Sequence, residues 1–262
     1  MFSRGGFLNK RGQVTMFIII AILLVAAVAF YILLRGKITE IIPSNKPAEN
    51  INRYISECVE DSVREKLVMI TEQGGFASPE LYINHSGIKV AYLCYNNLYY
   101  SPCINQAPHY INHLEREIKN SISQDVENCF TTLSEDYQQK SVGITTSETE
   151  STNVELLDKK IIVTIKKEVM INDRDETKQY NDFKTIINSP LYNLARTAME
   201  IVFQEATFCH AEYLGYQTLY PWVEISVSDI KSHSRVYKIV DKNTGTKLNM
   251  AVRSCAIPMG LG

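Results

Sequence analysis

Residues 14–34 run for twenty-one positions without a charged side chain, and Lys10-Arg11-Gly12-Gln13 stands directly before them. A helix rises about 1.5 Å per residue, so this segment reaches about 31 Å, enough to cross the hydrocarbon core of a bilayer. A cleaved secretory signal has a shorter apolar run, roughly 7–15 residues, ending at a small-residue cleavage site. Here the run is longer and closes on Phe30-Tyr31-Ile32-Leu33-Leu34-Arg35, which offers no such site. The expectation is a transmembrane helix over 13–37, with 1–12 as a cytoplasmic leader. Arg4, Lys10 and Arg11 lie before the span, whereas Arg35 and Lys37 follow it with Glu40 close behind. The positive-inside rule therefore places the N-terminus in the cytoplasm and the rest outside. No second run of eighteen apolar residues follows, so 38–49, with Pro43 and Pro47, reads as a linker and 50–262 as an extracytoplasmic domain.

That domain has the length for a sizeable core. Four of the chain's 27 basic residues and none of its 29 acidic ones lie within the first 35 positions, which leaves the remainder at a formal −6. Nucleic-acid binding needs a basic stripe and is not expected from such a balance. Tyrosine is abundant, with 15 residues, but Trp222 is the one tryptophan. A carbohydrate face of stacked tryptophans is thereby disfavoured, although tyrosines could serve.

Hydrophobic period sets the fold class. Ile51, Ile55, Cys58, Val59, Val63, Leu67 and Ile70 recur at helical steps and predict a helix over about 50–73, stopped by Gly74-Gly75. Leu114, Ile118, Ile122, Val126 and Cys129 predict a second over 108–130, and Leu194, Ala198, Ile201 and Val202 a third over 190–207. Between and after these, β-branched runs at 141–146, 154–157, 161–171, 183–187, 223–227, 236–240 and 247–252 read as strands. The last two are joined by a hairpin turn at 241–246, and 147–153 reads as a polar loop. The expected architecture is α+β, with helices packed on a mainly antiparallel sheet.

Six cysteines suit an oxidising exterior and allow 15 pairings. Cys94 and Cys103 flank a tyrosine-rich loop and form the most plausible local bridge. Cys58 and Cys129, each on the apolar face of a helix, read either as a bridge between two packed helices or as buried thiols.

Catalytic signatures are scarce. The sequence holds no Gly-x-Ser-x-Gly elbow, phosphate-cradling glycine loop or His-Glu-x-x-His helix. His109 and His113 have the i,i+4 spacing that can chelate a metal, with Glu117 a turn further on, but two surface histidines are the simpler reading. Cys209-His210 with Glu212 suggests a thiol nucleophile less well than a core cysteine. Residues 173–176 read as a solvated hairpin tip, and Asn84-His85-Ser86 as a glycosylation sequon in a loop. No catalytic residue, metal ligand or cofactor is assigned.

Lys10-Arg11-Gly12-Gln13-Val14-Thr15, leading straight into an apolar helix, resembles the class III leader of archaeal type IV pilin-like proteins. The resemblance implies cleavage between Gly12 and Gln13 by a prepilin-type peptidase. It also implies self-association through the N-terminal helix, where Ala21, Ala26, Ala27 and Ala29 permit close approach. Many such proteins carry a glutamate shortly after the cut, where this chain has Met16 and Phe17. The remainder is similar to uncharacterised single-span exported proteins of small-genome archaea, through Cys58-Val59-Glu60-Asp61 and Gly74-Gly75-Phe76. That likeness implies a location and no activity. The expected partners are thus the lipid bilayer, further copies of the chain and the peptidase. The expected role is a cell-surface structural or interaction protein; a membrane-anchored hydrolase and an accessory subunit of a membrane complex are the alternatives.

Overall fold

The computed structural model describes residues 21–25, 51–98, 100–173, 176–230 and 233–255. Residues 21–25 are helical and exposed. Apart from them, the expected span over 13–37 lies outside the described residues, as does the leader over 1–12. Among the described residues no helix is long and apolar enough to cross a membrane. Residues 1–46 and 47–262 form separate units, and the fold below is that of the second.

Helix α1 (Ile51–Glu72) buries Ile51, Ile55, Val59, Val63 and Ile70 along one stripe. Helix α2 (Tyr110–Gln139) does the same with Leu114, Ile118, Ile122, Val126 and Phe130. Its stripe continues through Leu133 and Tyr137, so the helix runs nine residues past the expected end at 130. Each such aliphatic side chain contributes about 1.5–3 kcal/mol relative to exposure. The two helices pack on each other and are joined by a disulfide between Cys58 and Cys129, with Cα atoms 6.0 Å apart.

The junction between them explains Gly74-Gly75. Both adopt positive φ, at 81° and 89°, and Gly75 N–H closes α1 on Ile70 O at 2.7 Å. The Tyr110 ring fills the space that a Cβ on Gly75 would need, its Cε2 2.7 Å from that point, and its hydroxyl donates to Gly74 O at 3.0 Å. Only glycine meets both demands at position 75, the left-handed backbone and the missing side chain.

Two sheets share the helices. The larger runs β1 (Tyr82–His85), β2 (Ile88–Tyr95), β10 (Lys247–Arg253), β9 (Ser234–Asp241), β8 (Val223–Ile230), with the two-residue β3 (Ile104–Asn105) on β2. All its pairs are antiparallel except β2 with β10. The smaller sheet is organised by β6 (Lys160–Asp173). It pairs over its length with β7 (Glu176–Asn188), by its first half with β5 (Ser151–Leu157) and by its second half with β4 (Gly143–Thr146).

A bulge interrupts β6 between Lys166 and Val169, placing two residues opposite one. It turns Lys167 inward, where the ammonium meets Glu127 of α2 at 2.8 Å, Thr149 at 3.2 Å and the face of Phe130. Burial pushes the Glu127 carboxyl up, but Lys167 and Thr149 outweigh it and hold it below the usual range.

Helix α1 lies against β7 of the small sheet and β10 of the large one; α2 lies on β4 and β5. Helix α3 (Leu191–Phe208) covers β2, β9 and β10, and the short α4 (Tyr213–Leu219) follows it. One hydrophobic core runs through all of these layers. The α+β architecture is therefore as expected, with antiparallel pairing dominant and divided between two sheets. The sequence reading missed β1, β2, β3 and α4, and its polar loop over 147–153 ends inside β5. The sequon residue Asn84 sits within β1 and not in a loop.

Candidate functional site

The most developed surface feature is a furrow made of three open cavities of about 980, 700 and 520 Å³. The first lies between α3 and α4 and ends at Trp222 and Asn193. Those two residues also line the second, which passes between the β5–β6 turn and the β9–β10 hairpin tip. Asn188, Ser189, Pro190 and Thr244 then carry the surface into the third cavity, beside α1.

Local sequence builds the walls. Asp241 opens an Asx turn, its Oδ1 accepting from Asn243 N, Thr244 N and Thr244 Oγ1 at 3.0, 2.8 and 3.0 Å. Lys242 N–H donates to Trp222 O at 2.9 Å, which ties the tryptophan's main chain to this turn. On the opposite wall Asn193 donates an amide hydrogen to Asp158 at 2.8 Å, and Ser189 N–H donates to Lys159 O at 3.0 Å. Tyr216 and Tyr220 stand one helical turn apart with ring centroids 4.5 Å apart, and Tyr216 shares a hydrogen bond with Thr197 of α3. The turn at 241–246 was legible in the sequence, but its place in a furrow was not, because the furrow gathers its residues from five separated segments. Only the singular Trp222 stood out in the sequence.

Beneath the furrow's α3 side lies a buried charge. Glu205 is fully inaccessible; Arg235 Nη2 meets its Oε2 at 2.7 Å and Tyr237 donates its hydroxyl to Oε1. Arg235 also donates to Cys209 O, and Ser254 to Glu205 O. Burial pushes the Glu205 carboxyl above its ordinary range, although Arg235 and Tyr237 draw it back. The same burial raises the Tyr237 phenol. None of the furrow's three cavities is lined by Glu205, Arg235 or Tyr237, and the cluster ties α3 to β9.

The residues singled out from sequence are dispersed. Gly12 and Gln13 lie outside the described residues. Cys94 and Cys103 are bridged, with Cα atoms 5.3 Å apart. Cys209 is no nucleophile: it is bonded to Cys255, and His210 faces Glu212 at 3.9 Å on the surface. The two-residue tip at 174–175 lies outside the described residues, flanked by the pair Asp173 and Glu176.

The histidine pair does not converge on a metal. His113 is half-buried and hydrogen-bonds through Nε2 to Gly75 O at 3.0 Å, while its Nδ1 faces Arg116 Nη2 at 3.3 Å. A neutral ring with its proton on Nε2 satisfies both contacts. Glu117 is engaged by Ala77 N–H at 2.9 Å. Among the described residues no group of three or more His, Cys, Asp or Glu side chains is arranged to hold a metal.

Burial lowers the His113 pKa, and Arg116 adds to that against the opposing pull of Glu117 and the Gly75 carbonyl. The unfolded chain then binds the proton more readily. The stabilisation this ring provides is full above its unfolded value and is lost as pH falls through the folded one. Urea midpoints should therefore drop between pH 7.5 and pH 5, and His113→Gln should make that drop smaller. An equal drop in both proteins would remove His113 from the account.

One more surface stands out. The loop closed by Cys94 and Cys103 holds Leu98 60% and Tyr100 86% exposed, with Ile104 beside it at 68%. Asn96 braces it from within, donating to Ser101 O and Pro102 O and accepting from Leu98 N–H. Arg253 braces it from β10 through Asn96 O at 2.8 Å. No protein-family model matches the chain, and no curated protein or solved structure resembles it closely enough to lend it a fold or a function.

Proposed function

We propose that the chain is a membrane-anchored cell-surface interaction protein, held by the apolar segment over 13–37 and exposing the domain over 50–262 to the exterior. The observation that carries the interaction role is the Cys94–Cys103 loop. The disulfide and the Asn96 contacts to Leu98, Ser101 and Pro102 brace the described parts of this loop and leave Leu98 and Tyr100 in solvent, which lowers the ordering entropy that opposes a partner covering them. Aromatic and aliphatic groups presented in this way are the usual anchors of protein contacts. The outward location is supported by three disulfides that use all six cysteines.

The leader completes the reading. A prepilin-type peptidase would cut between Gly12 and Gln13, and the freed helix would remain in the bilayer or pack against further copies. Chain recovered from native membranes should begin at Gln13, and Gly12→Leu should leave it uncut. A Gly12→Leu chain that still begins at Gln13 contradicts the pilin-like part and leaves a simple anchor.

A further inference from the structure

We infer that the furrow is a binding cleft for the interior of a neutral oligosaccharide chain, with Trp222 as its stacking platform. The cavities follow one another through shared walls, Trp222 and Asn193 at one junction and Asn188 to Pro190 with Thr244 at the other. Such a groove suits a polymer laid along it better than a compact molecule, which would be enclosed on most sides.

The chemistry of the middle section selects the polymer. Its side chains are chiefly the amides and carboxylates of Asp158, Asn188, Asn193, Asp241 and Asn243, with the hydroxyls of Ser189 and Thr244, around the half-buried indole of Trp222. A sugar hydroxyl both donates and accepts, and planar amides and carboxylates supply the complementary acceptors and donors side by side. The other face of a pyranose presents C–H groups, which the negative face of an aromatic ring attracts. Tyr216 and Tyr220 offer further rings in the adjoining cavity.

Two other polymers fit less well. Asp158 and Asp241 outnumber Lys159 in the middle section, which opposes a polyanion. A peptide would call for apolar pockets or an open strand edge, whereas the middle section offers Pro190 and Trp222 as its apolar groups. The walls are also fixed before binding, by the Asp158–Asn193 contact, the Asp241 turn and the Lys242 to Trp222 hydrogen bond.

The inference draws on the proposed surface location only for where the sugar would be met, and binding is measured on the purified chain. Its failure would therefore leave the anchoring reading untouched. Trp222 is the only tryptophan, so its fluorescence reports on this cleft alone. Full-length chain in a zwitterionic, sugar-free detergent is titrated with neutral hexasaccharides: α-1,4- and β-1,4-linked glucose, β-1,4-linked N-acetylglucosamine and α-1,6-linked mannose.

The expected result is a saturable change with at least one of them, at a Kd of about 10 µM to 1 mM. By calorimetry, Trp222→Ala and Asn193→Ala should each weaken that sugar at least about tenfold. Trp222→Phe should retain part of the affinity, and melting temperatures should confirm that every variant is folded. The inference is overturned if no neutral hexasaccharide saturates, or if Trp222→Ala binds as well as the parent. Saturation by a heparin hexasaccharide or a single-stranded oligonucleotide in place of the neutral sugars overturns it too.

Discussion

Replacing Cys58 and Cys129 together with serine should lower the unfolding free energy of the domain by about 4 kcal/mol. The bridge spans 71 residues, and the chain-entropy model makes the loss grow with the logarithm of that span. The same model gives about 2.6 kcal/mol for the nine-residue separation of Cys94 and Cys103. Cys58–Cys129 is also the only bridge that ties α1 to α2, the pair on which both sheets rest. A serine at the buried position 129 adds the cost of a hydroxyl among apolar neighbours. Urea unfolding of the double variant, beside the parent under non-reducing conditions, measures the difference. An unchanged midpoint would mean that the bridge does not form in the protein.

Arg235→Met should cost about 3–5 kcal/mol, because it leaves the Glu205 carboxylate buried without its counter-charge. Adding Glu205→Gln should recover most of the loss, since an amide can still accept from Tyr237. The effect carries a pH signature. Burial already holds the Glu205 carboxyl above its ordinary range, and removing Arg235 takes away an opposing pull, so it rises further. A carboxyl raised on folding keeps its proton longer in the native state than in the unfolded chain. Native stability is then highest at low pH and is lost as pH rises through the folded value. The deficit of Arg235→Met should accordingly be smaller at pH 5 than at pH 8. A loss of equal size at both values would mean that packing, and not an unpaired charge, is at fault.

The helices were legible because their apolar residues recur at three and four positions while the opposite face is polar, as in the run from Ile51 to Ile70. Strand β2 was hidden by its burial on both faces. Val90 and Tyr92 pack in a small cluster on the outer side of the sheet, and Leu93 and Cys94 in the main core. The resulting run, Val90-Ala91-Tyr92-Leu93-Cys94, has no alternation to reveal it. Its partner β10 pairs with it in parallel from more than 150 positions away, which no local signal encodes. Helix α4 escaped for the opposite reason: its seven residues bury nothing fully, so no apolar stripe marks it.

The furrow was illegible on other grounds. Asp158 and Asp241 belong to turns that sequence reading treats as connections, and only the fold brings both beside Trp222. The bridge between Cys94 and Cys103 could be anticipated from short spacing. The Cys209–Cys255 pair could not, because it depends on α3 ending in a left-handed turn beside the last strand.

The central claim is that residues 50–262 stand outside the cell on a membrane anchor, and brief trypsin treatment of intact cells tests it most directly. Lys37 is the last tryptic site before the domain that proline does not block, since Lys46 precedes Pro47. The account predicts a soluble, disulfide-bonded fragment in the supernatant whose N-terminus lies at Ile38, while a cytoplasmic marker stays intact. A chain that survives on whole cells and is cut only after lysis would contradict it.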